Sequence, residues 1–374
     1  MDENSGLIKV TIPYKNTVWS VYPLPEENRF GMIAGKKEDD ATVSIVTIKK
    51  DRLDIDEIPR SAFEPASERG EKAINSSSLF LLGNRIITIL DIRGKKEVCS
   101  YWGVGNVLNN YYEKSKVVDF ERQLILTLFR PQYDDSFKQV INNSYVLTIE
   151  NLKDSARVKQ IPVATLSGDY KTSTKGDLPS PPQLFFGSTF TVYRESPSYD
   201  WLCVDNNLEP IEHPLCTILN DDKALFFSET FFLFDMAICE PKKIAALIYR
   251  KERTARILLI AWDREQPVIP VPIEFKPPVA PVFNHFSLSP SGTWLYFEGE
   301  TGVHDEYSGS YLVYLDPTLP NIAFPPIKID LAQSAEHLTW MTVPEGLIVY
   351  TNKKFHYWDL SQFDPEKNKG DMRK

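Results

Sequence analysis

Many apolar segments in this chain are short and contain no polar residue. Examples are SLFLL (78–82), IAALIY (244–249) and LIVY (347–350). A strand with one face in water alternates apolar and polar residues, whereas an unbroken apolar strand has both faces covered. The segment TWLYF (293–297) follows a turn, SPSG, and is also largely apolar. The pattern therefore predicts many strands that are buried on both sides.

Two architectures bury both faces of many strands. A parallel α/β sheet needs an amphipathic helix between successive strands, and the sequence shows no convincing series of such helices. The connections are short and polar instead, as in PEEN (25–28), SPSG (289–292) and PEG (344–346). A propeller stacks small antiparallel sheets against one another, and short turns suffice for it. The pattern therefore favours an all-β propeller over an α/β fold.

The strand-like segments group into units of four. Clear units span 17–59, 224–275 and 282–331, and weaker ones fall near 73–102, 117–165 and 181–218. The last unit, 337–362, supplies only three strands: HLTWMTV, GLIVYTN and KFHYWDLSQ. Seven units give about 53 residues each, close to propeller repeat lengths. These units predict a seven-bladed β-propeller of four-stranded antiparallel blades.

The first strand-like segment, LIKVTIPY (7–14), precedes the first unit and belongs to none of the units above. It can supply the missing fourth strand of the last blade. Closing the ring in this way would remove open sheet edges, which invite aggregation. The sequence thus predicts a single propeller domain over residues 1–363, closed by its N-terminal strand. Residues 364–374, with the basic end KNKGDMRK, are expected to form a disordered charged tail.

The chain resembles the β-propeller superfamily and, loosely, its WD-repeat branch. Trp262-Asp263 and Trp358-Asp359 end predicted third strands, and Leu315-Asp316 occupies the same place in its unit. The Gly-His pair typical of that branch is missing, so the repeat motif is degenerate. The resemblance covers the whole chain as a pattern and implies a fold and a binding platform.

Composition narrows the range of partners. The 374 residues carry a net charge of −9, which argues against nucleic acid because phosphate binding needs clustered Lys and Arg. No signal peptide and no membrane span is recognised. The four cysteines have no close paired spacing, so neither a zinc site nor a dense disulfide framework is expected. These features favour a cytoplasmic protein.

The longest predicted loops emerge on one face, because they join second to third strands or one blade to the next. Long loops that persist in compact domains are commonly functional. Tyrosines there would suit a protein interface, and the acidic residues beside them would favour a basic partner, within a larger assembly. The predicted contact residues are Tyr111, Tyr112, Tyr133, Asp134, Asp135, Asp169, Tyr170, Tyr199, Asp200, His304, Asp305, Glu306 and Tyr307.

The sequence shows no recognisable catalytic or cofactor motif. His304-Asp305-Glu306 lacks a second ligand segment, so no metal site is predicted, and GVGNVL (103–108) lacks the helix that a dinucleotide site requires. No cofactor is expected, and the tryptophans are expected to fill blade interfaces. The first hypothesis is a non-catalytic scaffold that binds a protein partner. The alternative is a hydrolase or lyase acting on a carbohydrate or lactone, with acidic residues near the central channel.

Overall fold

The structure is a computed structural model of the chain. The described residues are 7–24, 28–36, 42–49, 52–58, 70–75, 78–82, 86–91, 96–102, 112–119, 124–129, 132–133, 140–142, 144–151, 157–165, 183–194, 200–221, 231–251, 254–275, 285–301, 306–315 and 326–364. The chain divides into two compact units. The first comprises residues 1–83, 87–100 and 275–374, and the second residues 84–86 and 101–274. No helix among the described residues is long and apolar enough to span a bilayer.

The first unit contains four antiparallel sheets of four strands each. Its opening strand is β1 (Ile8–Pro13). The first sheet is β2 (Thr17–Pro23), β3 (Arg29–Gly35), β4 (Thr42–Ile48) and β5 (Leu53–Ile58). The second sheet is β6 (Gly70–Asn75), β7 (Ser78–Leu82), β8 (Ile86–Asp91) and β9 (Lys96–Trp102).

The second unit contains three larger sheets and one small one among its described residues. The third sheet is β10 (Tyr112–Asp119), β11 (Leu124–Phe129), β14 (Ser144–Asn151) and β15 (Arg157–Thr165), and a hairpin of β12 (Gln132–Tyr133) and β13 (Val140–Asn142) lies between β11 and β14. The fourth sheet is β16 (Gln183–Phe186), β17 (Phe190–Arg194) and β18 (Leu202–Asp205). The fifth is β19 (Phe231–Cys239), β20 (Ile244–Lys251), β21 (Thr254–Ala261) and β22 (Val268–Phe275).

The chain then returns to the first unit for the sixth sheet and the last sheet. The sixth is β23 (Phe286–Leu288), β24 (Trp294–Thr301), β25 (Glu306–Tyr314) and β26 (Ile327–Ile329). The last sheet comprises β27 (His337–Thr342), β28 (Glu345–Thr351), β29 (Lys354–Asp359) and β1. The prediction of an all-β chain built from four-stranded antiparallel sheets is confirmed for six of the seven sheets.

The predicted pairing of the N-terminal strand with the last sheet is present. β1 runs antiparallel to β29, with Ile8 opposite Asp359 and Pro13 opposite Lys354. Leu7 and Ile12 are buried, and Leu7 joins an apolar cluster with residues of the sixth and last sheets. The Lys9 ammonium also donates a hydrogen bond of 2.6 Å to the carbonyl of Asp330, which follows β26. The N-terminal segment is therefore part of the core of this unit.

Strands without polar faces are buried, as predicted, where the structure describes their side chains. On β24, Trp294, Leu295, Tyr296 and Phe297 are all almost completely inaccessible to solvent. Glu298 follows them and is also buried, and it accepts hydrogen bonds from the Tyr296 hydroxyl, from Ser334 Oγ and from the backbone N–H of Ala335. The carboxylate thereby joins β24 to the segment that leads into the last sheet. A buried charge of this kind is tolerated because its oxygens are hydrogen-bonded.

Among the described residues, the fourth sheet has three strands and departs from the predicted blade of four. After β18 the chain forms one bridge, Val204 to Pro210, and then an eight-residue helix, α1 (Pro214–Asp221). The side-chain amide of Asn220 donates to the carbonyl of Trp201 and accepts from its N–H, as a neighbouring strand would. The missing strand is thus replaced by a short bridge and a helix, which satisfy the edge of β18.

A disulfide bond joins this helix to the sheet. Cys203 on β18 is bonded to Cys216 on α1, and both are buried. The sequence analysis did not anticipate this pair, because thirteen residues separate the two cysteines and nothing in their spacing marks them as partners. A cross-link within a folded sheet restricts the unfolded chain and so stabilises the native state.

Neighbouring sheets are also joined at one end of their strands. This is the end at which a turn connects the first strand of a sheet to its second strand, and it is called the turn end. Glu240, after β19, accepts backbone hydrogen bonds of 2.8 Å from Ser188 and Thr189, which lie between β16 and β17. Glu345, which begins β28, accepts a hydrogen bond from Ser291, which lies between β23 and β24. Both glutamates therefore connect the turn of one sheet to the turn of the sheet before it.

The buried position of β1 generates a prediction about stability. Replacing Ile12 by Ala should lower the free energy of unfolding by about 2–4 kcal/mol, because it opens a cavity in the core. The matched control is Ile55→Ala on β5, where the side chain is 39% exposed, and its effect should be within about 0.5 kcal/mol. Thermal and urea denaturation measure both. Equal effects of the two substitutions would contradict the core position of β1.

The disulfide generates a second prediction. Reduction of Cys203–Cys216 should lower the unfolding free energy by about 3 kcal/mol, the value for a closed loop of this size. Melting curves with and without dithiothreitol, alongside a count of reactive thiols, measure the effect. A Cys203→Ala/Cys216→Ala variant should melt at a lower temperature that no longer depends on the reductant. Wild-type protein that melts identically in both conditions would contradict the cross-link.

Candidate functional site

The described part of the chain includes five of the thirteen predicted contact residues. Tyr112 begins β10, Tyr133 lies on β12, and Glu306 and Tyr307 begin β25, while Asp200 is exposed just before β18. The others lie outside the described residues: Tyr111, Asp134, Asp135, Asp169, Tyr170, Tyr199, His304 and Asp305. All five described residues lie at the end of their sheets that is opposite the turn end. This opposite end is called the linker end. The structure leaves their role as a contact surface untested.

The linker end of the first sheet exposes a residue that the sequence analysis did not select. Trp19 on β2 is 42% exposed, whereas Trp201, Trp294 and Trp358 are almost fully buried. The register of β2 against β3 shifts between Val18 and Ser20, so Trp19 lies at a β-bulge. A β-bulge commonly redirects a side chain at the edge of a sheet or next to a functional site. The bulge therefore accounts for an aromatic side chain in solvent on a strand whose neighbours Val18 and Val21 are buried.

The bulge is held by groups from the last sheet. His337 on β27 donates through Nε2–H to the carbonyl of Val18, with 2.9 Å between the nitrogen and the oxygen. The hydroxyl of Tyr350 donates to the carbonyl of Asn16 at 3.2 Å, and the N–H of Tyr14 donates to the carbonyl of Lys353 at 2.8 Å. The backbone on both sides of Trp19 is thus fixed before any partner binds, which lowers the entropy that binding would cost.

Three lysines lie on the segments around Trp19. Lys15 lies just before β2, and Lys36 follows Gly35, which is paired with Thr17 of β2. Lys353 lies in the turn between β28 and β29, and its carbonyl accepts the hydrogen bond from the N–H of Tyr14. The three lysines are exposed. This contrasts with the net charge of −9 on the whole chain and with the acidic residues predicted for the contact surface. Acidic groups lie here as well, because the charges of Glu57 and Glu336 act on Tyr14 and Tyr350, so the charge of this part of the linker end is mixed.

Burial also shifts the pKa values of the groups that hold this segment. Burial lowers the pKa of His337 below its usual 6.5, so the ring is neutral at pH 7 and carries its proton on Nε2. Burial raises the pKa of Tyr350 above 10, so its hydroxyl stays protonated and can donate, while Tyr14 contributes through its backbone N–H. The hydrogen bonds that position Trp19 are therefore all made by neutral groups at pH 7.

The described residues contain no group of three or more His, Cys, Asp and Glu side chains placed to hold a metal ion. His213 at the turn end of the fourth sheet stacks on Phe190, with 3.9 Å between the ring centroids, and lies edge-on to Trp262. Its Nδ1 accepts a hydrogen bond from the N–H of Leu215 at the start of α1. Packing and helix capping account for this histidine without a catalytic role.

Comparison with known proteins gives the fold. No protein-family description matches the chain, and no curated protein sequence matches it significantly. Among solved structures, the chain is similar to Kluyvelomyces marxianus Hsv2, with 10% identity over 95% of this chain and 96% of that one, and a TM-score of 0.50. The Pan2 WD40 domain of Neurospora crassa gives 9% identity over 93% and 90%, with a TM-score of 0.49. The similar structures are WD40 β-propellers, and the chain has this fold with a degenerate repeat motif.

Two histidines in this region predict a loss of stability in acid. Burial and the charges of Lys9 and Lys354 lower the pKa of His356 to about 4, and burial lowers that of His337. Unfolding exposes both rings, which then take up protons below about pH 6.5. Their stabilising contribution is therefore complete above pH 6.5 and is lost as the pH falls towards 4.

Melting temperatures measured between pH 7.5 and pH 4.5 test this. The wild type should lose stability below pH 6.5, and His356→Gln and His337→Gln should each show a smaller loss over the same range. If both variants lose as much stability as the wild type, the histidines are not the groups responsible.

Proposed function

We propose that the chain is a non-catalytic seven-bladed propeller, closed by its N-terminal strand, that binds a protein partner within a larger assembly. The seven main sheets among the described residues each correspond to one blade in this proposal. β1 gives the last blade its fourth strand, and the fourth blade uses α1 in place of a strand. The partner binds at the linker end of the blades, with Trp19 as the central contact.

The observation that carries the binding proposal is the exposed, rigidly held Trp19. Tryptophan is among the residues that contribute most to protein interfaces, because one side chain buries a large area and loses little entropy. Trp19 meets the usual conditions for such a contact, since it is 42% exposed and its backbone is fixed by His337. The small hairpin of β12 and β13 between β11 and β14 carries Tyr133, which the proposal assigns to the same contact surface.

The charge that we expect on the partner depends on which part of the linker end the partner covers. Around Trp19, the exposed lysines Lys15, Lys36 and Lys353 are balanced by the carboxylates of Glu57 and Glu336, so this part of the surface favours no particular sign of charge on the partner. The basic partner predicted from Asp134, Asp135 and the other acidic loop residues would contact a different part of this end. That the partner is basic, and that this chain is located in the cytoplasm, both stay predictions.

The proposal predicts that Trp19→Ala weakens partner binding by about 30-fold or more, the effect typical of a central interface residue. The protein is tagged, purified from its native cell and analysed by mass spectrometry, and the affinity of each recovered partner is then measured with purified components. Ile211→Ala is the matched control, because Ile211 is a large apolar residue, 36% exposed, that follows β18 at the turn end of the fourth sheet. It should leave the affinity unchanged.

Combined alanine substitutions at Tyr111, Tyr112 and Tyr133 test the remaining predicted surface in the same assay, and they should also weaken binding. Two results would contradict the proposal. One is a partner set and affinity that none of these substitutions changes. The other is a protein recovered alone that turns over members of a panel of sugars and lactones, which would favour the enzymatic alternative.

A further inference from the structure

The strand that completes each main sheet pairs with one neighbouring strand and so presents an edge; these strands are β5, β9, β15, β18, β22, β26 and β1. Proteins usually block such an edge with proline, with a bulge, by keeping the strand short or by covering it. Proline lies on β1, β15 and β22, at Pro13, Pro162, Pro270 and Pro272, and β26 has three residues. The edge of β18 is covered by a bridge and by Asn220. Most edges of this chain are therefore blocked.

The edge of β5 has none of these features. β5 and β9 contain no proline and have six and seven residues. On β5 the register against β4 is continuous, from Ile58 opposite Val43 to Leu53 opposite Ile48. Three consecutive residues of β5 are exposed, and they are Ile55, Asp56 and Glu57. β5 is thus a regular edge strand that solvent reaches.

The hydrogen bonds of the turn between β4 and β5 show which backbone groups point away from β4. The N–H of Lys49 donates to the carbonyl of Arg52 at 2.9 Å. In an antiparallel pair, residues bonded to the neighbouring strand alternate with residues whose backbone groups point outward. Starting from Arg52, every second residue is bonded to β4, beginning with Asp54. The outward N–H and C=O groups belong to the residues between them: Leu53, Ile55 and Glu57. Within the described part of the chain, no other strand pairs with these three.

The two faces of β5 carry different side chains, because successive residues of a strand point to opposite faces. Leu53 and Ile55 share one face, where Leu53 packs against the core cluster of the first and last sheets and Ile55 is 39% exposed. Asp54 and Asp56 share the other face. Residues directly opposite each other in neighbouring strands contact one another, and unlike charges stabilise the pair. A strand added to β5 would therefore place aliphatic residues on the first face and basic residues on the second.

The charges around the edge favour a basic strand over an acidic one. Lys49 and Arg52 lie at the turn, 3.7 Å and 3.1 Å from the carboxylate of Asp54, and they offset its charge. Asp56 and Glu57 lie at the other end of the strand, and both are exposed. The edge and its turn thus carry three described carboxylates and two described cations, so the surplus is negative.

A second copy of the chain would fit this edge poorly. If two β5 strands paired antiparallel with Ile55 opposite Ile55, Asp54 of one copy would lie opposite Asp56 of the other. Like charges directly opposite each other destabilise a pair of strands. The edge therefore favours a strand with a different sequence.

From these observations we infer that the edge of β5 binds an extended segment of a partner protein in which aliphatic and basic residues alternate. The segment adds a fifth strand to the first sheet, a known mode of peptide recognition. Its main chain exchanges hydrogen bonds with Ile55, its aliphatic side chains pack beside Leu53 and Ile55, and a lysine or arginine lies opposite Asp56. The inference does not depend on the proposed role of Trp19.

The probe is the hexapeptide KVKVKV, acetylated and amidated at its ends. A flexible peptide of this size is expected to bind with a dissociation constant on the order of 1 mM or below. The matched acidic probe is EVEVEV, which should bind at least about fivefold more weakly. NMR titrations of the full-length protein measure both affinities. The amide of Ile55 should also exchange more slowly with solvent once KVKVKV is bound, because its N–H is then hydrogen-bonded.

Methylated peptides separate strand pairing from attraction between charges. A residue opposite Ile55 directs its own N–H and C=O towards β5, whereas the residues on either side of it direct theirs away. N-methylation of the second valine of KVKVKV should therefore weaken binding about tenfold or more, since it removes a hydrogen bond and places a methyl group against the edge. N-methylation of the second lysine, with the same charge and mass, should change the affinity by less than about threefold.

Protein variants locate the site. Ile55→Pro removes an outward N–H and keeps the hydrogen bonds to β4, so it should weaken KVKVKV about tenfold or more. Asp56→Lys should weaken KVKVKV and strengthen EVEVEV. Trp19→Ala should leave both affinities unchanged, so a failure of this inference and a failure of the proposed function give different results. If Ile55→Pro does not fold, the methylated peptides make the same test on the wild-type protein.

Four results would each overturn the inference. The first is no binding of KVKVKV up to about 10 mM, well above the expected constant. The second is tighter binding of EVEVEV. The third is an equal effect of the two methylations, which would show that no strand is added. The fourth is a dimer of the free protein that Ile55→Pro dissociates, which would assign the edge to a second copy.

Discussion

The last sheet requires a strand from the other end of the chain. Its own segment supplies β27, β28 and β29, and the free edge of β29 is paired with β1, where Ile8 lies opposite Asp359. Closing a loop of this length costs about 5 kcal/mol in chain entropy, since the cost grows only with the logarithm of length. The burial of Leu7 and Ile12 contributes about 3–6 kcal/mol, and the hydrogen bonds between β1 and β29 add to it. These contributions offset the entropy cost of the long-range pairing.

The same pairing positions the surface around Trp19. At the linker end, the chain leaves β1 through Tyr14 and enters β2, where the last sheet fixes it through His337 and Tyr350 and leaves Trp19 in solvent. At the turn end, the first and last sheets meet through the main-chain hydrogen bond from Asn28 to Val343. Glutamates make the corresponding contacts at two other junctions, Glu240 between the fourth and fifth sheets and Glu345 between the sixth and last sheets.

The sequence predicts features that depend on local pattern. The absence of a polar face on β24 indicates burial on both sides, and a final unit of three strands indicates that a strand is missing. Features that depend on distant residues are not visible in the sequence. The bulge at Trp19 is held by His337, which lies 319 residues after Val18, and Cys203 meets Cys216 only because α1 folds back onto β18. The helix begins at Pro214, a favoured first residue, but it has no acidic residue in its first turn and no basic residue in its last turn, so two of the signals that usually mark a helix are missing.

Hydrogen exchange tests the central pairing most directly, because amides in a paired strand exchange only when the strand opens. Peptides covering residues 7–14 and residues 345–351 are compared in the native protein by mass spectrometry. If β1 is an integral strand of the last sheet, the amides of the N-terminal peptide that face β29 should be protected to the same order of magnitude as those of β28. Exchange of the whole N-terminal peptide within seconds, while β28 remains protected, would show that β1 does not complete the sheet and would contradict the account.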